Sequence, residues 1–143
     1  MSTTRIEKSA GFLIFRKENG VIRYLFLTNK GRYDVPKGVK QPGESDLTAA
    51  LRELKEETGI VSSRLIPGLK WSKHYFYTWG RDLVSKDVVY FLAETKDTKI
   101  RISDEHDGYS WLTKDEALAR IRYKGLREIL QDAEAALTAP LVG

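Results

Sequence analysis

The chain predicts an α/β domain with a mixed sheet between helices. Apolar, strand-like runs stand on both sides of one long amphipathic segment, and turn signals separate them. Two further helical patterns fill the last third of the chain. At 143 residues, 41% hydrophobic and 31% charged, the sequence suits one domain over 1–143 with a real core.

The elements follow in order. Gly11 to Arg16 and Val21 to Thr28 read as a strand pair around Lys17-Glu18-Asn19-Gly20, whose Asn-Gly dipeptide favours a tight hairpin turn. Tyr33 to Pro36 reads as a short strand, and Pro42-Gly43 as a type II turn. Ser45 is placed to cap a helix from Asp46 to Thr58. Gly59 is placed to end it in the left-handed conformation, with Ile60 packing back. Leu47, Ala50, Leu51 and Leu54 form its apolar stripe, so its glutamates are expected away from the sheet, facing a cleft. Lys70 to Thr78 and Lys86 to Glu94 read as strands joined by Trp79-Gly80-Arg81-Asp82. Tyr109 to Leu112 is a further strand; Lys114 to Arg120 and Lys124 to Ala136 are helices, the first capped by Thr113.

Composition narrows the chemistry. The chain has no cysteine, which excludes disulfides, thiolate zinc sites and cysteine nucleophiles. Two histidines are too few for a histidine-rich metal site. No secretory leader is visible, and apolar runs such as Phe12 to Phe15 and Val88 to Ala93 are too short to span a membrane, so a cytoplasmic location and no membrane partner are expected. A net charge of +4 favours anionic partners without separating a nucleotide from RNA.

The densest signal is Gly38 to Ile60. Arg52, Glu53, Glu56 and Glu57 fall within six residues, and helical spacing puts the three glutamates on one face. Like charges so placed repel by about 0.2–0.5 kcal/mol per exposed pair, and a hard divalent cation on their oxygens would relieve that. The stretch also fills every fixed position of G-x5-E-x7-R-E-U-x-E-E-x-G-U, with Gly38, Glu44, Arg52, Glu53, Leu54, Glu56, Glu57, Gly59 and Ile60 in place. This pattern resembles the Nudix box. The resemblance implies an α/β/α sandwich with a central mixed sheet and a metal-dependent hydrolase. Mg²⁺ is the expected cofactor, with Mn²⁺ as an alternative. Glu53, Glu56 and Glu57 would be the ligands, helped by the Gly38 carbonyl. Glu53 and Glu57 would be catalytic, Arg52 would orient Glu53, and Glu44 would assist the metal shell.

More of the chain is similar to one branch, the asymmetrical diadenosine tetraphosphate hydrolases. Their opening strand matches SAGFLIFRK, and their Pro-Lys-Gly ahead of the box matches Pro36-Lys37-Gly38. Tyr33 stands where that branch has tryptophan, Val35 where it has proline, and Arg32 where histidine is common. Their Ser-His-Glu-His run matches Ser103-Asp104-Glu105-His106, with Asp104 departing from it. The likeness implies that Glu105 joins the metal cluster as ligand or base. Lys37, Arg32 and Lys86 would bind phosphate, and Tyr77 and Tyr123 would stack an adenine. His74 and His106 read as structural or surface groups. The implied partner is a small nucleotide, diadenosine tetraphosphate cleaved to ATP and AMP. RNA 5′ ends, ADP-ribose or diphosphoinositol phosphates are the alternatives, and a non-catalytic nucleotide sensor is the second. An RNA end ranks behind the small nucleotide, and the sequence sets no oligomeric state.

Overall fold

Alternation along the first strand decides the architecture. The computed structural model describes residues 3–139, and strand β1 runs Thr4–Glu18. Its Ala10, Phe12 and Ile14 enter one core while Leu13 and Phe15 enter another, as successive side chains of a strand point to opposite faces. Both faces of the sheet are therefore apolar, and helices cover both. The outer ends of the expected 1–143 domain lie outside the described residues.

The remaining elements are β2 (Val21–Asn29), β3 (Arg32–Asp34), β4 (Lys37–Val39), α1 (Asp46–Thr58), β5 (Arg64–Trp79), β6 (Asp82–Glu94), β7 (Gly108–Leu112), α2 (Lys114–Leu118) and α3 (Lys124–Thr138). Seven strands form one sheet in the order β3-β2-β1-β6-β5, with β4 also on β1 and β7 also on β2. The β1–β6 pair is parallel, from Thr4 opposite Leu83 to Phe15 opposite Glu94, and the other pairs are antiparallel. Helix α1 covers one face through Ala49, Ala50 and Leu54. Helices α2 and α3 cover the other, with Ala117, Leu126, Ile129, Leu130 and Ala133 buried. This is the expected α/β/α sandwich. Among the described residues no helix is long and apolar enough to cross a membrane.

Local chemistry accounts for the ends of α1, which fall at the expected residues. The Ser45 hydroxyl accepts from the Thr48 N–H at 3.1 Å, and Gly59, at φ +77°, donates its N–H to the Lys55 carbonyl at 2.9 Å. Thr113 and Glu116 form a reciprocal capping box at α2.

Other expectations change. β1 is longer than Gly11–Arg16, because Thr4 to Lys8 pair by backbone with β6 where there is little core to mark them. The single strand expected over Tyr33–Pro36 is two strands, β3 and β4. Pro36 has no N–H to continue a ladder, and its carbonyl instead accepts from the Phe12 N–H at 3.0 Å. β5 starts earlier, at Arg64, and is broken by a register shift between Leu65 and Lys70, where Pro67 and Gly68 lie. α2 stops at Leu118 and α3 continues to Thr138. Leu51 is not on the docking stripe of α1. It is 45% exposed, and the buried face is Ala49, Ala50, Leu54, Glu57 and Thr58.

Leu54→Ala should therefore cost about 2–5 kcal/mol in urea unfolding, whereas Leu51→Ala should cost less than about 1 kcal/mol. Equal losses would mean that α1 docks through the stripe the sequence suggested.

Candidate active site

The docking of α1 places a carboxyl group inside the protein. Glu57 is one turn beyond Leu54 on the buried face and is 5% exposed. The sequence placed all three box glutamates away from the apolar stripe; Glu57 instead lies within the buried face. Burial first, then the hydrogen bond with Glu53 and the charges of Glu53 and Glu105, push its pKa up to about 9. The Lys37 backbone N–H, which donates to it, opposes the shift. Burial and these neighbouring acids favour the protonated form of Glu57, linked to Glu53, in the metal-free protein. Gly38 makes the arrangement possible: a Cβ there would fall 2.1 Å from the Glu53 carboxyl carbon.

Arg52 holds the outer acids. Its guanidinium donates to Glu44 at 2.7 and 2.9 Å, to Glu53 at 2.9 Å, to Glu56 at 3.3 Å and to the Val39 carbonyl at 3.0 Å. The Arg52 bonds and a bond from the Gln41 N–H hold the Glu44 carboxyl down at about 2. Glu44 thus anchors Arg52, and it does not line the cavity in front of the other acids.

That cavity, about 390 Å³, is lined by Lys37, Gly38 and Val39 of β4, by Glu53, Glu56 and Glu57 of α1, and by Ser103 and Glu105. The loop carrying Glu105 is tied down by Asp107, which accepts from the Thr28 hydroxyl at 2.9 Å and the Lys30 N–H at 2.8 Å. Sequence reasoning missed Asp107, since its partners lie far away in the chain. His106 Nε2 is 3.8 Å from the Glu57 carboxyl. Among the described residues no three acidic or imidazole groups already surround one point. Arg52 holds Glu53 and Glu56 at the cavity wall, and burial favours the protonated form of Glu57. The donor set nevertheless suits a hard divalent ion: it is all oxygen, anionic, and faces a cavity.

Lys37 is the bridge to a second cavity. It lines both, and it pairs with Asp34 at 3.0 Å. Burial disfavours its charge, but Asp34, with the nearby Tyr90 and Tyr75 hydroxyls, more than offsets this and raises its pKa. The second cavity measures about 820 Å³. Its aromatic walls are Tyr33, Tyr75 and Tyr123, and Lys30, Arg32, Arg120 and Arg122 surround it. Tyr75 and Tyr123 meet edge to face, with centroids 5.4 Å apart. The Tyr123 ring folds back over Gly125, where a Cβ would come within 2.6 Å of it.

The structure therefore brings together Lys37, Gly38, Glu53, Glu56, Glu57 and Glu105 at one cavity, with Arg52 behind them. It brings Arg32 and Tyr123 to the other. Tyr77, singled out by the sequence for the adenine, does not line the aromatic cavity; its hydroxyl bonds Glu7. Tyr75, two residues earlier on the same strand face, takes that place. Phe76 points the opposite way and is exposed. Lys86 stands opposite Tyr75 on β6 and lines neither cavity. Burial and the charge of Lys37 lower its pKa. Tyr75, Asp34 and Gly125 are also positions the sequence reading passed over. A glycine opening a helix two residues after a candidate stacking tyrosine was the available signal.

A carboxylate wall on a capped helix, with a lysine carried to it by a Pro-Lys-Gly strand, is what the box geometry builds here. The NUDIX domain profile matches residues 6–133, and the chain belongs to the Nudix family. Within it, the chain is 37% identical over 138 residues to the asymmetrical bis(5′-nucleosyl)-tetraphosphatase of Sus scrofa, covering 87% of this chain and 91% of that one. It is 31% identical over 137 residues to the enzyme of that name from Caenorhabditis elegans, covering 92% and 97%. The crystal structure of a C. elegans Ap4A hydrolase binary complex superposes with a TM-score of 0.82 at 29% identity, over 94% of this chain and 99% of that one.

Glu57 has a consequence for stability. Its folded pKa of about 9 lies above its ordinary value of 4.5, so the folded state holds a proton that the unfolded state releases. Its contribution is complete below about pH 4.5 and is lost as pH rises through 9. In chelator, urea unfolding should show stability falling between pH 5 and 9, by up to about 1.4 kcal/mol per pH unit from this group. Glu57→Gln should flatten the slope; an unchanged slope would show that another group sets it.

Proposed function

We propose that this chain hydrolyses the phosphoanhydride chain of dinucleoside polyphosphates, diadenosine tetraphosphate first, giving ATP and AMP. One observation carries the reading: Lys37 is the shared wall of an acidic, cation-suited cavity and an aromatic, cationic one. A substrate with a polyphosphate beside a purine nucleoside matches that sequence of surfaces. The relatives named as tetraphosphatases support the choice.

Lys37 holds phosphate oxygens, and phosphate competes with Asp34 for it. Tyr75 and Tyr123 take the adenine, and Arg32 steadies the chain from the rim. Mg²⁺, or Mn²⁺ as the alternative, held by Glu53, Glu56, Glu57, Glu105 and the Gly38 carbonyl, would supply neutralisation of the phosphate charge. A water oxygen forms the new bond to phosphorus, and the bridging anhydride oxygen leaves with the departing nucleotide. The water's proton passes to a carboxylate of the Glu53–Glu57 pair. Arg52 keeps Glu53 aimed at the cavity and acts as a positioning residue. The proposal includes a cytoplasmic location.

Incubation with diadenosine tetraphosphate and Mg²⁺ should yield ATP and AMP in equal amounts by chromatography. Glu57→Gln should lower kcat by about 10²–10⁴-fold. Base stacking of about 1–3 kcal/mol per ring predicts that Tyr75→Ala and Tyr123→Ala each raise KM by roughly 5–150-fold, with Tyr77→Ala changing it little. Tight nucleotide binding without products would make the chain a sensor. A KM effect confined to Tyr77 would return the adenine to that ring.

A further inference from the structure

One buried hydroxyl lacks a partner where the two cavities meet. Tyr90 is 0% exposed, lines neither cavity, and its hydroxyl makes no hydrogen bond among the described residues. A buried donor without an acceptor destabilises the fold. The other fully buried tyrosine, Tyr24, donates to Glu134 at 2.7 Å. Elsewhere in the core Phe12, Phe15 and Phe26 supply a ring with no hydroxyl to satisfy. In the free protein the Tyr90 hydroxyl therefore does nothing that a phenylalanine would lack.

The sheet register sets this hydroxyl beside Lys37. Gly11 stands opposite Lys37 on β4 and opposite Tyr90 on β6, so the three form one row across the sheet, and directly paired residues share a face. Gly11 puts no side chain between the outer two; a Cβ there would fall 2.5 Å from the Lys37 Cβ. Lys37 and Asp34 are the charged groups that act on the Tyr90 hydroxyl. One oxygen of Asp34 accepts from the Val35 N–H at 2.7 Å, and the other lies 3.0 Å from the Lys37 ammonium. A phosphate that takes Lys37 leaves that second oxygen without its cation and next to another anion. The Tyr75 and Tyr123 hydroxyls belong to partly exposed rings on the cavity wall, where water can satisfy them. The Tyr90 hydroxyl has no such outlet.

We propose that Tyr90 is a positioning residue for phosphate capture by Lys37: when a phosphate oxygen takes the Lys37 ammonium, the Asp34 carboxylate turns from it and accepts the Tyr90 hydroxyl. The exchange deepens the proposed function and rests on its placement of phosphate at Lys37. Asp34 neutralises the half-buried lysine while the site is free. Tyr90 then holds the released carboxylate away from the phosphate. The unpartnered hydroxyl belongs to the free protein only, so its capture adds to the attraction for phosphate.

The probe is inorganic tetraphosphate in chelator, followed by titration calorimetry; it has the anion but no base, and it needs no turnover. Tyr90→Phe should weaken its binding roughly tenfold, as loss of one hydrogen bond to a charged group requires. In urea the free variant should be at least as stable as the parent chain. With diadenosine tetraphosphate and Mg²⁺ the loss should fall on KM, with kcat held within about twofold. Asp34→Ala is the deciding background, because there Tyr90→Phe should have no further effect on tetraphosphate binding. A tenfold loss that persists in Asp34→Ala would overturn the exchange and make Tyr90 a direct phosphate donor. Unchanged affinity in Tyr90→Phe, or no tetraphosphate binding by the parent chain, would also overturn it. So would a destabilised Tyr90→Phe, which would mean that the hydroxyl already has a partner in the free protein. Coupled binding without cleavage of diadenosine tetraphosphate would keep the exchange and reject the proposed reaction; cleavage with no effect of Tyr90→Phe would do the reverse.

Discussion

Helix α1 reaches the sheet only by carrying a carboxyl group in with it. The contact is made by two alanines and a leucine, and Glu57 lies on the same face. Small side chains at Ala49 and Ala50 let the helix lie close, and the bare backbone of Gly38 leaves the volume that Glu53 fills. An uncompensated carboxylate in such a place is strongly disfavoured, so the group keeps a proton, and a cation would answer the same demand. The apolar contacts of Leu54 and Ile60 offset the burial of this acid. Arg52 then fixes the outer acids from the exposed side, so helix packing and site geometry are set together.

The parts of this arrangement that depend on neighbours in the chain were legible in the sequence. The cap at Ser45, the length of α1 and its end at Gly59 follow from residues within a turn of each other. The rotation of α1 was not legible, because a periodic stripe of leucines favours Leu51, whereas close approach to the sheet favours the alanines. Glu57 was expected away from the sheet, facing a cleft with the other glutamates, for the same reason. The choice between Tyr75 and Tyr77 was equally hidden. Both rings lie on one face of β5, and the N-terminal turn of α3, far along the chain, determines which one meets Tyr123. Asp34 and Asp107 gain their meaning from partners that only the folded chain supplies.

Charge alternates across the site. The carboxylate wall is followed by Lys37, then by Asp34, then by the cationic surround of the aromatic cavity. Beneath them the Tyr90 hydroxyl is buried and has no hydrogen-bond partner among the described residues. Its pKa is raised by burial, against the effect of Lys37. Lys86, on the same strand, is held close to a like charge in Lys37. Two like charges so placed oppose each other in the free protein.

The two cavities share one lining residue, Lys37. One draws on α1, β4 and the Glu105 loop; the other draws on the turn after β2, the start of β3, β5 and the approach to α3. They also rest on opposite halves of the core. On the proposed function, chemistry and recognition are thus separable modules joined at a single side chain. Sequence change at the Lys30–Asp34 turn or the Ala119–Tyr123 link can redirect what the protein recognises while the bond-breaking apparatus stays as it is. The same division offers a route to new specificities by grafting those two short segments alone.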